Sequence, residues 1–255
     1  MQRESDTDKW SQFHNILGVR SLTRRIDILR RQFLNHRFDR KSPLPALPPA
    51  SLGTIYNHEV VLPPRRLLMQ PGTQTIDGLF FLVSLARALG VQSVFEIGTF
   101  TGLTAWTLAR NLPDAVVCTL DIPSGNQPKW PLKEDDLHRA SEDQLIYQDL
   151  PEATRIEQHW GDSADFDFAP WYGAIDLAYV DGAHSEDYVA SDTDNALKIL
   201  SPNGVVVWDD YWRLSPGVVN VLHGRPDLDL YRVPGTRLVA HFSKRARTRI
   251  LDHNS

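Results

Sequence analysis

The sequence predicts an α/β protein built on a seven-stranded, mostly parallel sheet, with helices on both faces and an antiparallel hairpin at its C-terminal end. Three observations carry that expectation. From about residue 73, helical-period segments alternate with short apolar runs, the pattern of strands joined by helical crossovers. The stretch VFEIGTFTGLTAWTLA, residues 94–109, passes from a buried strand through a glycine turn into a helix. Near the end, DLDLYRV and TRLVAHFSK flank a Pro-Gly pair, which reads as two strands turning back on each other.

The elements follow in chain order. Residues 1–50 form an N-terminal helical arm and linker, and residues 51–255 form the main domain. In the arm, Val19, Leu22, Ile26, Leu29 and Phe33 recur at spacings of three and four, an amphipathic helix with a narrow apolar seam. Such a seam docks on the parent domain or pairs two copies into a homo-oligomer, while its arginines also suit a membrane surface or RNA. SPLPALPPA, residues 42–50, cannot be regular helix, because proline removes donors and restricts the residue before it. It reads as a stiff linker setting the arm apart. Then come helix 75–90 and strand 93–98, helix 102–112 and strand 115–122, and strands at 155–162, 174–182 and 204–211. The last two bracket a helix, SEDYVASDTDNALKIL, that stops at Ser-Pro-Asn-Gly. A further helix lies near 216–223.

Composition narrows the function classes. The 255 residues are 42% hydrophobic and 23% charged, as in ordinary globular proteins, and no apolar run reaches membrane-spanning length. The polar start MQRESDTDKW lacks the basic and apolar regions of a secretory signal, so a cytoplasmic protein is expected. Cys118 is the single cysteine, which rules out an internal disulfide and a cysteine-based zinc site and suits a small core residue. Ten of the basic residues and five of the acidic ones fall in residues 1–50, leaving the main domain with a net charge of −10. That balance speaks against a nucleic-acid groove and for a small-molecule partner.

The turn after the first strand selects among cofactors. A dinucleotide site carries G-x-G-x-x-G, whose amides and helix N-terminus meet a pyrophosphate. Here the glycines are Gly98 and Gly102, with Thr99 between them, and Glu96 precedes them. A carboxylate there suits a cationic ligand, and S-adenosyl-L-methionine carries a sulfonium and an ammonium. Asp121, at the end of the next strand, can accept from two ribose hydroxyls, and Asp162 with Ser163, at the end of the third, from an adenine amino group or, alternatively, cap a turn.

E-I-G-T-x-T-G, then L-D, G-D-S, Y-V-D-G-A-H and P-N-G-V-V-V-W-D-D-Y resemble, in that order, a class I S-adenosylmethionine-dependent methyltransferase of the family 24 type, near the catechol-type O-methyltransferases. The resemblance covers roughly residues 70–244 and implies a Rossmann-like sheet. It implies that Glu96, Gly98 and Gly102 lie along the methionine part of the cofactor, Asp121 on the ribose, and Asp162 with Ser163 at the adenine, with Thr99 and Asp181 also among the cofactor-binding residues and Asp181 with His184 among the catalytic ones.

At the ends of strands four and five stand Asp181, Asp209 and Asp210. Three converging carboxylates repel unless solvated or bridged by a cation, and oxygen ligands suit Mg²⁺. The resemblance implies one divalent metal there, although the relatives often show Asp-Asn where this chain has Asp-Asp, and the pair also reads as a strand end beside solvent. His184, three residues after Asp181, is a candidate base for an attacking hydroxyl, a cap for the following helix, or an orienter of Asp181. Trp208 reads as core, and Tyr211 with Trp212 as a wall for a small hydroxylated acceptor. The insert 123–154, long for an α/β connection, reads as a lid over the site or, alternatively, as a polar surface helix. Three alternatives remain: a metal-independent methyltransferase, a methyltransferase-fold protein that binds the cofactor without transferring methyl, and a nicotinamide oxidoreductase, which the missing third glycine and Glu96 disfavour.

Overall fold

The computed structural model of the chain describes residues 38, 41–68, 72–132 and 145–252. The amphipathic arm helix and the middle of the 123–154 insert lie outside these residues. The chain divides into two compact units, Met1–Ser42 and Pro43–Ser255. Among the described residues no helix is long and apolar enough to cross a membrane.

The second unit holds a seven-stranded sheet in the order β3-β2-β1-β4-β5-β7-β6. Its strands are β1 (Ser93–Ile97), β2 (Val116–Asp121), β3 (Ile156–Trp160), β4 (Ile175–Val180), β5 (Leu200–Trp208), β6 (Leu230–Arg232) and β7 (Val239–Phe242). The pairs among β1 to β5 are parallel, and β7 runs antiparallel to both β5 and β6. The expected hairpin is therefore present at the sheet edge, inverted in order so that β7 lies inside β6. Side chains alternate between the two faces, as the pleat requires. Val94, Val117, Leu177, Tyr179, Val205 and Val207 join one apolar core, while Phe95, Ala178, Val206 and Trp208 are buried on the other side of the sheet.

Helices are α1 (Pro49–Ile55), α2 (Arg65–Leu68), α3 (Ile76–Leu89), α4 (Leu103–Asn111), α5 (Glu186–Ile199), α6 (Pro216–His223) and α7 (Lys244–Ile250). The α3 helix starts where Thr75 accepts from the Gly78 amide and stops at Gly90, which takes the left-handed conformation of a C-cap. The end of α5 falls where the Ser-Pro-Asn-Gly signal sets it, but those four residues enter β5 through a register irregularity rather than forming a separate loop. Helix α7 goes beyond the sequence expectation. It buries Ala246 and Ile250, an i, i+4 pair after Ser243 that was the available signal.

Two details depart from the picture of a stiff linker. Helix α1 begins inside it at Pro49, a first-turn position at which proline costs no hydrogen bond. Before that, the Leu47 amide donates to the Arg232 carbonyl and the Arg232 amide donates to the Pro45 carbonyl, both at 2.9 Å. The linker thus covers the outer edge of β6, where unpaired strand groups would otherwise face solvent. Leu47 is 1% exposed and belongs to the main core. Leu47→Ala should cost about 2–4 kcal/mol of folding stability, as for other core leucines. Urea unfolding checks this; an unchanged midpoint would mean that the segment only tethers.

Candidate active site

The site begins at the carboxyl end of β1. Gly98 has φ 103°, and a Cβ placed there would stand 2.1 Å from the Asp181 carbonyl oxygen. The Asp181 amide also donates to the Ile97 carbonyl at 2.8 Å, so the ends of β1 and β4 are in direct backbone contact. This changes the reason for the glycine. A side chain at Gly98 collides with the sheet before it meets any ligand, so Gly98→Val acts on the fold first. Gly102 caps α4 with φ 76°, and a Cβ there would meet the Tyr147 ring at 2.3 Å.

Between the glycines the turn is tied down from below. Thr119 Oγ1 donates to Glu96 Oε2 at 2.6 Å and lies 2.7 Å from Thr99 Oγ1, to which Gln158 Nε2 donates at 3.1 Å. The Thr99 side chain is therefore spent inside the protein. Asp121 Oδ2 accepts from the Phe100 amide at 2.7 Å, holding a non-glycine residue at φ 50°. Glu96 is 1% exposed; burial, with Asp121 adding to it and Thr119 opposing, pushes its pKa up to about 8.

At the end of β3 the geometry favours the turn-capping alternative for Asp162. One of its oxygens accepts from the Lys129 amide at 2.7 Å and the Tyr188 hydroxyl at 2.8 Å, and the other from the Ala164 amide at 2.9 Å. Asp162 thus fastens the start of the insert to α5, and Trp130 packs edge-on against Tyr188 at 5.1 Å. Ser163 lies beside Asp192 of α5, a buried acid that desolvation raises to about 7.

Asp181, Asp209 and Asp210 come together as expected: each offers a carboxylate oxygen within 4.8 Å of the others. What the sequence reading missed is Arg237. Its guanidinium lies 2.7 Å from Asp210 Oδ1 and 3.3 Å from Asp209 Oδ2. The signal was present in the hairpin: β7 runs antiparallel to β5, so the residues opening β7 lie beside the residues closing β5, where Trp208 pairs with Val239. His184 Nε2 is 2.5 Å from Asp210 Oδ2. It partners Asp210, and the residue at the N-cap of α5 is Ser185. Asp181 Oδ2 instead accepts from Tyr179 at 2.9 Å, whose hydroxyl accepts from Gln74 at 2.6 Å. Asp210 has φ 56°, the conformation that turns its carboxylate toward these partners. Trp208 is core, as expected, but so is Tyr211: it is 2% exposed, and its hydroxyl pairs with His223 at 2.7 Å. Trp212 remains at the site, with the Arg237 guanidinium 5.4 Å from its ring centre.

Electrostatics divide the three acids. Burial works against ionisation of Asp210, yet Arg237 and His184 outweigh it and hold its carboxyl below the ordinary value. Burial lifts Asp209 to about 6 against the pull of Arg237, and lifts Asp181 well above the usual range, with Asp209 and Asp210 adding to the rise. A divalent cation fits this set only in part. Asp209 Oδ1 is buried without a hydrogen-bond partner, an oxygen that a water, an acceptor hydroxyl or a cation would satisfy. Asp210 Oδ1 is likewise buried without a hydrogen bond, but the Arg237 guanidinium stands against it at ion-pair distance and His184 lies on Oδ2, so a cation that drew on Asp210 would have to share it with two groups already there.

Comparison with known proteins agrees with this geometry. Residues 95–211 match the family model described as a methyltransferase domain. The mouse catechol O-methyltransferase domain-containing protein 1 is 29% identical over 137 residues, 52% of this chain and 47% of that protein, so the chain spans about half the length of the curated relative it matches. In fold, the chain is similar to the S-adenosylhomocysteine-bound methyltransferase PaMTH1 of Podospora anserina, with a TM-score of 0.52 at 16% identity, covering 79% of this chain and 91% of that one. It is also similar to the cofactor-bound protein Rv0187 from MTB, with a TM-score of 0.50 at 20% identity, covering 76% and 88%. The fold is thus similar to that of the solved Podospora anserina methyltransferase, and residues 95–211 carry the match to a methyltransferase domain.

The buried Glu96 yields a pH prediction. Its folded pKa, about 8, lies above the ordinary glutamate value of 4.5, so the folded state binds more protons between those values and the ligand-free protein loses stability as pH rises through that window. Glu96→Gln keeps an acceptor for Thr119 and removes the titration. Urea unfolding of the two proteins between pH 5 and 8 should show the wild type falling relative to the variant by roughly 1 kcal/mol per pH unit. Parallel curves would contradict the buried-acid assignment.

Proposed function

We propose that the protein transfers the methyl group of S-adenosyl-L-methionine to a hydroxyl oxygen of a small acceptor. The observation that supports this most is the backbone contact of Gly98 with Asp181, which sets the cofactor turn directly beside the acid cluster and His184. On this reading the cofactor's cationic amino-acid end lies toward Glu96, whose buried carboxyl ionises to meet it, and its ribose lies at Asp121. Asp162 helps to shape the adenine end by holding the insert against α5.

The transfer is a direct displacement. An acceptor oxygen lone pair forms the new C–O bond while the C–S bond breaks and its electrons go to sulfur, giving S-adenosylhomocysteine. The acceptor must lose a proton, and His184 is the group held for it. With Nε2–H donated to Asp210, the imidazole lone pair is on Nδ1, where the proton is taken up; Asp210 stabilises the imidazolium that results. The divalent cation implied by family resemblance has no step in this scheme, because Asp210 is committed to Arg237 and His184.

Calorimetry tests the cofactor half: S-adenosylhomocysteine should bind one per chain and NAD should not. Asp121→Ala should weaken binding by about 1–3 kcal/mol. His184→Ala should leave that affinity unchanged and lower kcat about 100-fold on an acceptor from a hydroxylated panel. Preference for NAD, or unchanged affinity in Asp121→Ala, would remove the basis of the proposal.

A further inference from the structure

We infer that Arg237 is the resident cation of the acid cluster and stands in for a divalent metal, so that methyl transfer here is metal-independent; the inference rests on the function proposed above. In a metal-assisted site the cation does two things: it neutralises converging carboxylates and gives them a fixed geometry. Arg237 supplies both. Its guanidinium spans two carboxylates, 2.7 Å from Asp210 and 3.3 Å from Asp209, and carries a charge that no accessible pH removes.

The arginine is also held in place from three directions. Its backbone carbonyl accepts from the Tyr211 amide at 2.9 Å, one residue beyond Asp210. Its guanidinium lies against the Trp212 ring. Its position on the turn into β7 is fixed by the antiparallel pairing of Val207 with Ala240 and Trp208 with Val239. A surface side chain that happened to fold over an empty metal site would have none of these anchors. The side chain is only 23% exposed, and leaving that position would mean hydrating a buried ion pair on both sides.

Asp210 makes the competition explicit. One oxygen faces the Arg237 guanidinium as an ion pair and the other faces His184, so a metal recruited by Asp210 would be set against a fixed positive charge or would compete with the histidine. The second acid of the strand-five pair is on this account the counter-charge that seats Arg237 and His184 together.

The test is manganese binding followed by electron paramagnetic resonance of the free ion, on the full chain stripped of metal with a chelator and desalted. The wild type should show no saturable site, and neither should Arg237→Lys, which keeps the charge. Arg237→Met and Arg237→Gln open the cluster and should gain one site per chain, with affinity at least roughly tenfold above any wild-type binding, the change expected from removing one adjacent positive charge. A wild-type protein that binds one manganese ion per chain at low-micromolar concentration would overturn the inference. So would variants that fold, by calorimetry with S-adenosylhomocysteine, yet gain no site. If the wild type fails to bind S-adenosylhomocysteine, the proposed function fails, while the manganese titration still decides what cation the acids hold.

Discussion

No side chain fits at Gly98, and most of what the molecule can do follows from that. The missing Cβ lets the Asp181 carbonyl approach the turn, and the same contact joins the ends of β1 and β4 in the middle of the sheet. Strand order reverses there: β2 and β3 lie to one side of β1, and β4 and β5 to the other. A crevice opens at the carboxyl ends of the strands wherever a doubly wound sheet reverses. The turn, Asp121 and Asp162 line its first half and the acid cluster its second. A backbone-to-backbone contact holds the two halves together.

The site also concentrates features that a folded protein otherwise avoids. Glu96, Asp192 and Asp209 are buried acids, and the two non-glycine residues with positive φ among the described residues, Phe100 and Asp210, both belong to the crevice. Such strain persists only where surrounding contacts impose it. Phe100 is held by Asp121, and Asp210 by Arg237 and His184. The cofactor half and the acceptor half thus use one device, an aspartate at a strand end that fixes a distorted backbone. The difference lies in their counter-charges: among the described residues Glu96 accepts from Thr119 and has no cationic partner, whereas Asp210 is already paired with Arg237 and His184.

The fold was legible because its signals are local. Alternating helical and apolar periods located the strands, and the Pro-Gly pair located the hairpin. Glycines at 98 and 102 were also visible, but their purpose was not, since the partners that exclude a Cβ, Asp181 and Tyr147, are distant in sequence. The acid cluster could be anticipated from the rule that parallel strands present their carboxyl ends together. Arg237 was hidden because β7 doubles back along β5, which brings a turn residue into a site that parallel-strand logic assigns to β1 through β5 alone. Tyr211 was misjudged as pocket lining for a related reason: position beside the acids did not reveal that its hydroxyl faces His223. The linker's prolines correctly spoke against an ordinary helix, but no local pattern announces pairing with a strand edge formed nearly two hundred residues later.

The central claim is that the Gly98–Gly102 turn and the acid cluster form one active crevice. A crystal structure of the protein soaked with S-adenosylhomocysteine tests it most directly. The account predicts the ligand seated over the turn, its ribose hydroxyls on Asp121, its ammonium toward Glu96 and its sulfur facing His184 across from Arg237. Density for the ligand elsewhere, or a ligand whose sulfur points away from Asp181, His184 and Asp210, would contradict it.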